Sequence, residues 1–166
     1  MHRVLFTGMS GTGKSTMLAA LKTPDNITVD LDYGGWILPG PAYGEPVFDI
    51  PRLLRLFTAH PTQDIFLAGT AANQAQLYPH LTAAITLTAP LSVMRQRVMT
   101  RRDNPFGQWP EEWAQIVRDK AEIEPLLIQG SDYVCSTDRD WDTVVQDVQH
   151  FLQKKGYDRP ASVDRG

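Results

Sequence analysis

Five short apolar runs alternate with longer segments of helical period along this chain. The runs are residues 4–7, 27–30, 64–68, 84–87 and 132–135. Each is mostly apolar, as strands buried on both faces are. Runs of this kind separated by helical patterns predict a parallel sheet covered by helices. The first helix is expected from Lys14 to about Lys22, stopped by Pro24. The clearest stripe is Trp141, Val144, Val145, Val148, Phe151 and Leu152, at the i, i+3, i+4, i+7 spacing of a helix packed on a core. From Lys154 to Gly166 the chain turns polar, with Gly156 and Pro160, and reads as a frayed tail behind a single domain spanning 1–153.

The segment 32–51 breaks this rhythm. Gly34, Gly35, Gly40 and Gly44 together with Pro39, Pro41 and Pro46 leave no room for a helix. Its aromatics, Tyr33, Trp36, Tyr43 and Phe48, argue against disorder. Long ordered loops in compact domains are usually functional, so the segment is read as a substrate-facing excursion leading into a helix near Arg52 to Ala59.

Composition narrows the class. The 166 residues suffice for one domain with its own core. Sixteen basic against 19 acidic residues give a net charge of −3. That argues against a general nucleic-acid binder, whose affinity comes from basic phosphate contacts. The first residues hold no apolar run long enough for a signal peptide or membrane span, so a soluble cytoplasmic protein is expected. Cys135, the one cysteine, sits in an apolar run and reads as core. His2, His60, His80 and His150 are scattered without zinc spacing.

The chemistry begins at Gly8-Met9-Ser10-Gly11-Thr12-Gly13-Lys14-Ser15-Thr16, which satisfies G-x-x-x-x-G-K-[ST]. Glycines let backbone N–H groups turn inward around a phosphate. The helix that follows offers unpaired N–H groups and a positive dipole end to the same anion. Lys14 is expected on the β- and γ-phosphates and Ser15 on Mg²⁺. An apolar run enters the loop and a helical segment leaves it, as the motif requires. There is no N-K-x-D guanine motif and no L-S-G-G-Q stretch, and the chain is short for a motor or a transporter ATPase.

Asp30-Leu31-Asp32 closes the second run. Ligands of open parallel sheets bind beyond the carboxyl ends of the strands, so both carboxylates are expected on the rim that carries the phosphate loop. Alternation puts them on one side. One can hold Mg²⁺, and the other can accept or orient the proton of an attacking hydroxyl. Trp36 and Tyr43 fit either an acceptor pocket or the core of the excursion. Farther on, Arg95, Arg97, Arg101 and Arg102 crowd one helix, with Arg97 and Arg101 sharing a face. Asp103-Asn104-Pro105-Phe106-Gly107 ends it. An arginine closing over the transferred phosphate from a lid at about 101–112 would stabilise charge and expel water. The alternative is an ordinary solvated face.

These features resemble the small-molecule kinases of the phosphate-loop superfamily, the shikimate kinase and nucleoside monophosphate kinase-like group. The likeness runs from about Arg3 to Leu152. It rests on the phosphate loop, on Asp30-x-Asp32 beside that family's D-T-D, and on the arginine-bearing helix and lid. Glu124-Pro125-Leu126-Leu127 is a weaker echo of an R-x-P-L-Y stretch, and Ser136-Thr137-Asp138-Arg139 falls where the family meets the adenine ring. The resemblance implies a three-layer α/β fold with a five-stranded parallel sheet in order 2-3-1-4-5, a mobile lid, and ATP as donor with Mg²⁺. It implies Asp30 near the metal and Asp32 near the acceptor hydroxyl. Gly8, Ser10, Gly11, Thr12, Gly13, Lys14, Ser15, Thr16, Arg97 and Arg139 would bind nucleotide, with Lys14, Asp32, Arg101 and Arg102 in catalysis.

The departures concern the acceptor. Gly69 matches the first of three family glycines, but Thr70-Ala71-Ala72-Asn73-Gln74 follows. Ile123 stands where the family places an acceptor-binding arginine, and there is no convincing F-R-x-x-E in the helix after the excursion. Shikimate itself is therefore disfavoured. Thr70, Asn73 and Gln74 offer hydroxyl and amide groups instead, suited to a neutral or amine-bearing polyol, sugar or nucleoside-like acceptor. For Asn73 and Gln74 a polar helix start is the other reading. With Asp32, Trp36, Gly69, Thr70 and Asn73 as substrate-side residues, the expectation is transfer of the γ-phosphate to a hydroxyl of a small metabolite, by a monomer or homodimer. A nucleoside or nucleotide kinase, with phosphate-binding Arg52 and Arg55, is one alternative. A non-catalytic ATP-binding sensor or assembly factor is the other.

Overall fold

A computed structural model describes residues 1–40 and 44–157. Five strands, β1 (Arg3–Thr7), β2 (Ile27–Asp30), β5 (Ile65–Ala68), β6 (Ala83–Thr88) and β7 (Tyr133–Ser136), form one parallel sheet in the order β2-β5-β1-β6-β7. Counted along these five alone, the order is the expected 2-3-1-4-5. Between them lie α1 (Lys14–Leu21), a hairpin of β3 (Ile37–Pro39) and β4 (Pro46–Phe48), α2 (Ile50–Ala59), α3 (Leu91–Thr100), α4 (Pro110–Glu122) and α5 (Glu124–Gly130). The last helix, α6 (Trp141–Tyr157), follows β7.

Strand alternation sorts the core into layers. Val4 and Phe6 of β1 join Phe66 and Ala68 of β5 on one face, against Met17 and Leu21 of α1 and Val144, Val148 and Leu152 of α6. Leu5, Ile65 and Leu67 point the other way, against Leu53 and Phe57 of α2, Leu31, Phe48 and Leu77. A third cluster joins Met9 and Ala89, just past the carboxyl ends of β1 and β6, to Met94, Val98, Ile116 and Leu127 of α3, α4 and α5. That cluster carries the three helices on the rim where the phosphate loop opens.

Four features differ from the sequence expectations. The excursion contains an antiparallel hairpin, with Ile37 opposite Phe48 and Pro39 opposite Pro46. Its prolines sit at the strand ends, where a missing N–H costs the ladder nothing. Tyr43 lies outside the described residues. The next helix starts at Ile50 because Asp49 caps it, its carboxylate accepting from Arg52 N at 3.1 Å, with Pro51 in the first turn. Helix α3 ends at Thr100, so Arg101 and Arg102 do not continue the helix face of Arg97 and Arg95. Arg101 turns extended instead, its Nε donating to Asn104 O at 2.7 Å. Finally, residues 154–157 continue α6 rather than fraying, and Lys155 Nζ reaches Asp132 at 3.2 Å. The rest of the expected tail, 158–166, is outside the described residues.

Candidate active site

The loop from Gly8 to Gly13 connects β1 to α1, and its three glycines are forced, Gly8 because a Cβ there would lie 2.5 Å from Leu87 O. Gly11 has φ +86°, and a Cβ there would lie 2.8 Å from Met94 O. Gly13 has φ +98°, and its Cβ would sit 2.4 Å from the Trp141 ring. The first α-helical bond of α1 runs from Met17 N to Gly13 O at 2.9 Å. The N–H groups of Lys14, Ser15 and Thr16 therefore have no helical partner and face the loop's anion-binding end. Thr12 locks the loop from within, its hydroxyl donating to Met9 O at 2.8 Å, and Ser10 lines its open side. Thr16 is exposed at the start of α1.

The outer clamp on this loop is Arg97. Its guanidinium donates to Gly11 O at 3.2 Å and to both Oγ1 and O of Thr137 at 2.8 Å. Thr137 in turn donates to Thr12 O at 2.7 Å. Arg97 also sits 5.6 Å from the centroid of Trp141. Those bonds occupy the guanidinium with the loop carbonyl of Gly11 and with Thr137. Arg139, the other arginine expected on nucleotide, pairs with Asp147 at 2.7 Å on an exposed surface. It leans along α6, away from the loop. Arg95 lies over Trp113 at 5.7 Å.

On the inner side, Lys14 Nζ donates to Gly8 O at 2.8 Å and Met9 O at 3.0 Å. The residue is half-buried, and its ammonium is the enclosed part. Burial pulls its pKa from 10.5 to about 8, although Asp32 and Asp30 oppose that fall and Arg101 adds to it. Asp32 is pushed above the usual carboxylate range, first by burial and also by Asp30, while Lys14 and Arg101 pull it back. Lys14, Asp32, Asp30 and Arg101 thus form one electrostatic cluster. Ser15 Oγ donates to Asp30 Oδ2 at 2.6 Å, and Asp30 Oδ1 accepts from Asp32 N at 3.2 Å. A hydroxyl and a carboxylate this close are hard oxygen donors of the kind Mg²⁺ takes. Among the described residues no group of three or more His, Cys, Asp or Glu could hold a metal ion.

Phosphate loop, Asp32 and lid share one cavity of about 950 Å³. Gly8, Ser10, Lys14 and Asp32 line one end, and Phe106 comes down from the lid segment. Arg102 is exposed outside it. The far wall comes from Tyr78, Ile116, Ile123, Leu126 and Leu127. Sequence reasoning gave that wall no role beyond noting Ile123 and the Leu126-Leu127 pair. It is assembled from a 3-10 turn and two helices that carry no motif.

The substrate-side expectations divide. Thr70 reaches the cavity, but its hydroxyl donates to Gly8 O at 2.9 Å and accepts from Gly8 N at 3.2 Å. Gln74 is buried with its amide oxygen on Thr7 and Ala71 and its nitrogen on Tyr78 Oη. Asn73 does not face the cavity. Its Oδ1 accepts from Phe48 N at 2.7 Å and its Nδ2 donates to Phe48 O at 3.0 Å, tying the hairpin to the rim. Gly69 serves close packing, since a Cβ there would stand 3.0 Å from Leu31 Cβ. Trp36 packs on the α2-side core and carries the Arg52 guanidinium 3.8 Å above its ring. Arg52 also donates to Gly34 O at 2.9 Å, and Arg55 is exposed. Neither arginine lines the cavity.

The architecture has solved counterparts. A shikimate kinase from Acinetobacter baumannii, in complex with shikimate, superposes with a TM-score of 0.63 at 18% identity, covering 93% of this chain and 95% of that one. A shikimate kinase from Bacteroides thetaiotaomicron gives 0.57 at 16%, covering 92% and 98%. A gluconokinase from Sinorhizobium meliloti gives 0.55 at 15%, covering 92% of each. The chain shares with these structures a three-layer α/β fold built on a five-stranded parallel sheet. No protein-family model matches the sequence, and no curated protein does either. Among the described residues no helix is long and apolar enough to cross a membrane.

Proposed function

We propose that this chain transfers the γ-phosphate of ATP to a hydroxyl of a small metabolite. The observation that carries the reading is the shared cavity: the lysine of the phosphate loop and the carboxylate of Asp32 line the same chamber, which extends beyond them. Its volume of about 950 Å³ leaves space for an acceptor next to a triphosphate. The backbone N–H groups opening α1 and the Lys14 ammonium would hold the phosphates. Ser15 and Asp30 would hold Mg²⁺, which when bound neutralises phosphate charge. Phosphate oxygens and water would complete its coordination.

In the transfer, the acceptor oxygen forms a bond to the γ-phosphorus. The bond from that phosphorus to the β,γ-bridging oxygen breaks, and ADP leaves with the electron pair. The hydroxyl proton passes to Asp32, whose raised pKa makes it a stronger base than a solvated aspartate. Arg101, beside Asp32 and Lys14, is the lid charge best placed to meet the phosphoryl oxygens, ahead of the exposed Arg102. Arg97 acts as a positioning residue that shapes the loop from behind. Arg139, held by Asp147, takes no part.

The test uses ATP labelled in its γ-phosphate, Mg²⁺ and a small-metabolite extract, with Asp32→Asn alongside. Label should enter an organic product, at a rate that falls about 10²-fold or more in the variant, the range for losing a general base. ATP affinity near neutral pH should stay within severalfold. Label found only in inorganic phosphate would sink the reading and favour a nucleotide-dependent sensor, and an unchanged transfer rate in Asp32→Asn would remove Asp32 as the base.

A further inference from the structure

We infer that the acceptor has an apolar body and carries neither a carboxylate nor a phosphate. This rests on the phosphotransferase reading and names the substrate class of the same site. Three observations converge on it.

The first is charge. Among the described residues lining the cavity, the only cation is Lys14, which belongs to the phosphate loop. The wall instead presents three carboxylates, Asp32, Glu45 and Asp119. An anionic acceptor would meet like charge along a wall that no arginine lines, the nearby Arg101 being directed at the transferred phosphoryl group, and recognition of carboxylate or phosphate ordinarily uses arginine forks. The second is the state of the neutral polar groups. The Thr70 hydroxyl is engaged with the Gly8 backbone, Gln74 is bonded through its oxygen to Thr7 and Ala71 and through its nitrogen to Tyr78, and Asn73 is spent on the hairpin. The three residues expected to serve a polyol are thus held by the fold, and the polar groups left on the wall are the carboxylates with Ser10, Gln115 and Gln129. The third is the far wall. Leu126 is 64% exposed and Ile123 36% exposed, while both line the cavity with Ile116 and Leu127. Large apolar side chains left open to solvent around a concave site mark a surface kept for an apolar ligand. Asp32 is then free to receive the single reacting hydroxyl.

A matched pair of probes tests this. Phenylpropanediol and phenyllactate share an aryl body and a secondary hydroxyl, and differ in a hydroxymethyl against a carboxylate. Binding of each to the protein with Mg²⁺ and a non-hydrolysable ATP analogue is measured by calorimetry. Phosphate transfer from labelled ATP is followed in parallel, over a panel of such pairs with aryl and alkyl bodies. The diols should bind and accept phosphate at least about tenfold better than the hydroxy acids. Ile123→Arg, a change at a partly exposed position, should shrink or reverse that preference without lowering ATP affinity. Preferred binding of hydroxy acids, or no detectable binding of any diol at millimolar concentration, would overturn the inference. Transfer confined to hydroxy acids would overturn it while leaving the kinase reading intact. Selective diol binding without transfer to any acceptor would do the reverse.

Discussion

Raising the pH past about 8 should weaken the binding of Mg-ATP, because the Lys14 ammonium loses its proton there. The fall from 10.5 to about 8 comes chiefly from burial. At about 1.4 kcal/mol per pH unit, it corresponds to a bias of about 3 kcal/mol against the charged form. Triphosphate oxygens arriving at the loop reverse that bias, since an opposite charge within a few ångströms favours the ammonium. Below about pH 8 the lysine is already charged and affinity should be flat. Above it, binding must take up a proton, and affinity should drop by up to about tenfold per pH unit. At pH 8 itself, about half a proton should be absorbed per nucleotide bound.

Calorimetry with a non-hydrolysable analogue, in two buffers of different ionisation enthalpy, reads that proton count directly. Asp32→Asn removes the carboxylate that most supports the ammonium, so the break should move to lower pH. Arg101→Gln removes an opposing cation and should move it up. The same logic fixes a sign for stability. The folded pKa of Lys14 lies below its unfolded value, so the ligand-free fold is penalised while the unfolded lysine is charged and the penalty fades between about pH 8 and 10.5. Lys14→Met should therefore raise the melting temperature of the ligand-free protein at pH 7 even as it abolishes nucleotide binding. A flat affinity from about pH 7 to 9.5 with no proton uptake would show that the ammonium is not enclosed, and the reasoning from burial would fail.

Other consequences are as direct. Gly13→Ala places a Cβ against Trp141 at a left-handed φ, and should cost about 1–3 kcal/mol and shift the tryptophan emission. Unchanged emission and melting temperature would contradict the contact. Asn73→Ala removes both bonds to the Phe48 backbone and should cost about 1–3 kcal/mol in urea unfolding while leaving Mg-ATP affinity unaltered. A selective loss of acceptor binding with no loss of stability would return Asn73 to the substrate side. Burial pushes the Cys135 thiol pKa up, so the native protein should resist thiol reagents at pH 8 and react only on unfolding. Stoichiometric labelling of the native state would refute that.

The donor half of the proposed site could be read from sequence because its parts are contiguous. A strand, a glycine loop, a lysine and a serine occupy one stretch of chain, and the physics that needs them fixes their spacing. Asp30 and Asp32 could be placed because strand β2 ends there and its carboxyl end lies on the same rim. The arginines were harder. Their helix was legible, but its end at Thr100 was not, because that end depends on Arg101 bonding to Asn104 O and not on any breaker residue between them. The hairpin inside the excursion escaped notice because its strands are three residues each, too short for alternation to register. Trp141 was legible as core and carries a second role, filling the space beside Gly13 that a Cβ would take.

The acceptor half follows a different logic. Its walls come from the hairpin, the 3-10 turn at Tyr78, and helices α4 and α5, and no local pattern announces that they converge. Local sequence shows only what each residue type can do, so Thr70, Asn73 and Gln74 read as polar groups on offer. The fold spends them internally, on the Gly8 backbone, the hairpin and Tyr78. What remains facing the chamber beyond the phosphate loop is mainly apolar and acidic, with Gln115 and Gln129 among it. The same placement explains how the two halves can carry separate constraints. The phosphate loop is held by Arg97, Thr137 and Trp141 from the side away from the acceptor wall, none of which lines the cavity. A substitution between α4 and α5 such as Ile123→Arg should therefore change what is accepted without loosening what donates. Specificity in this chain should be read from the far wall, and catalytic competence from the rim.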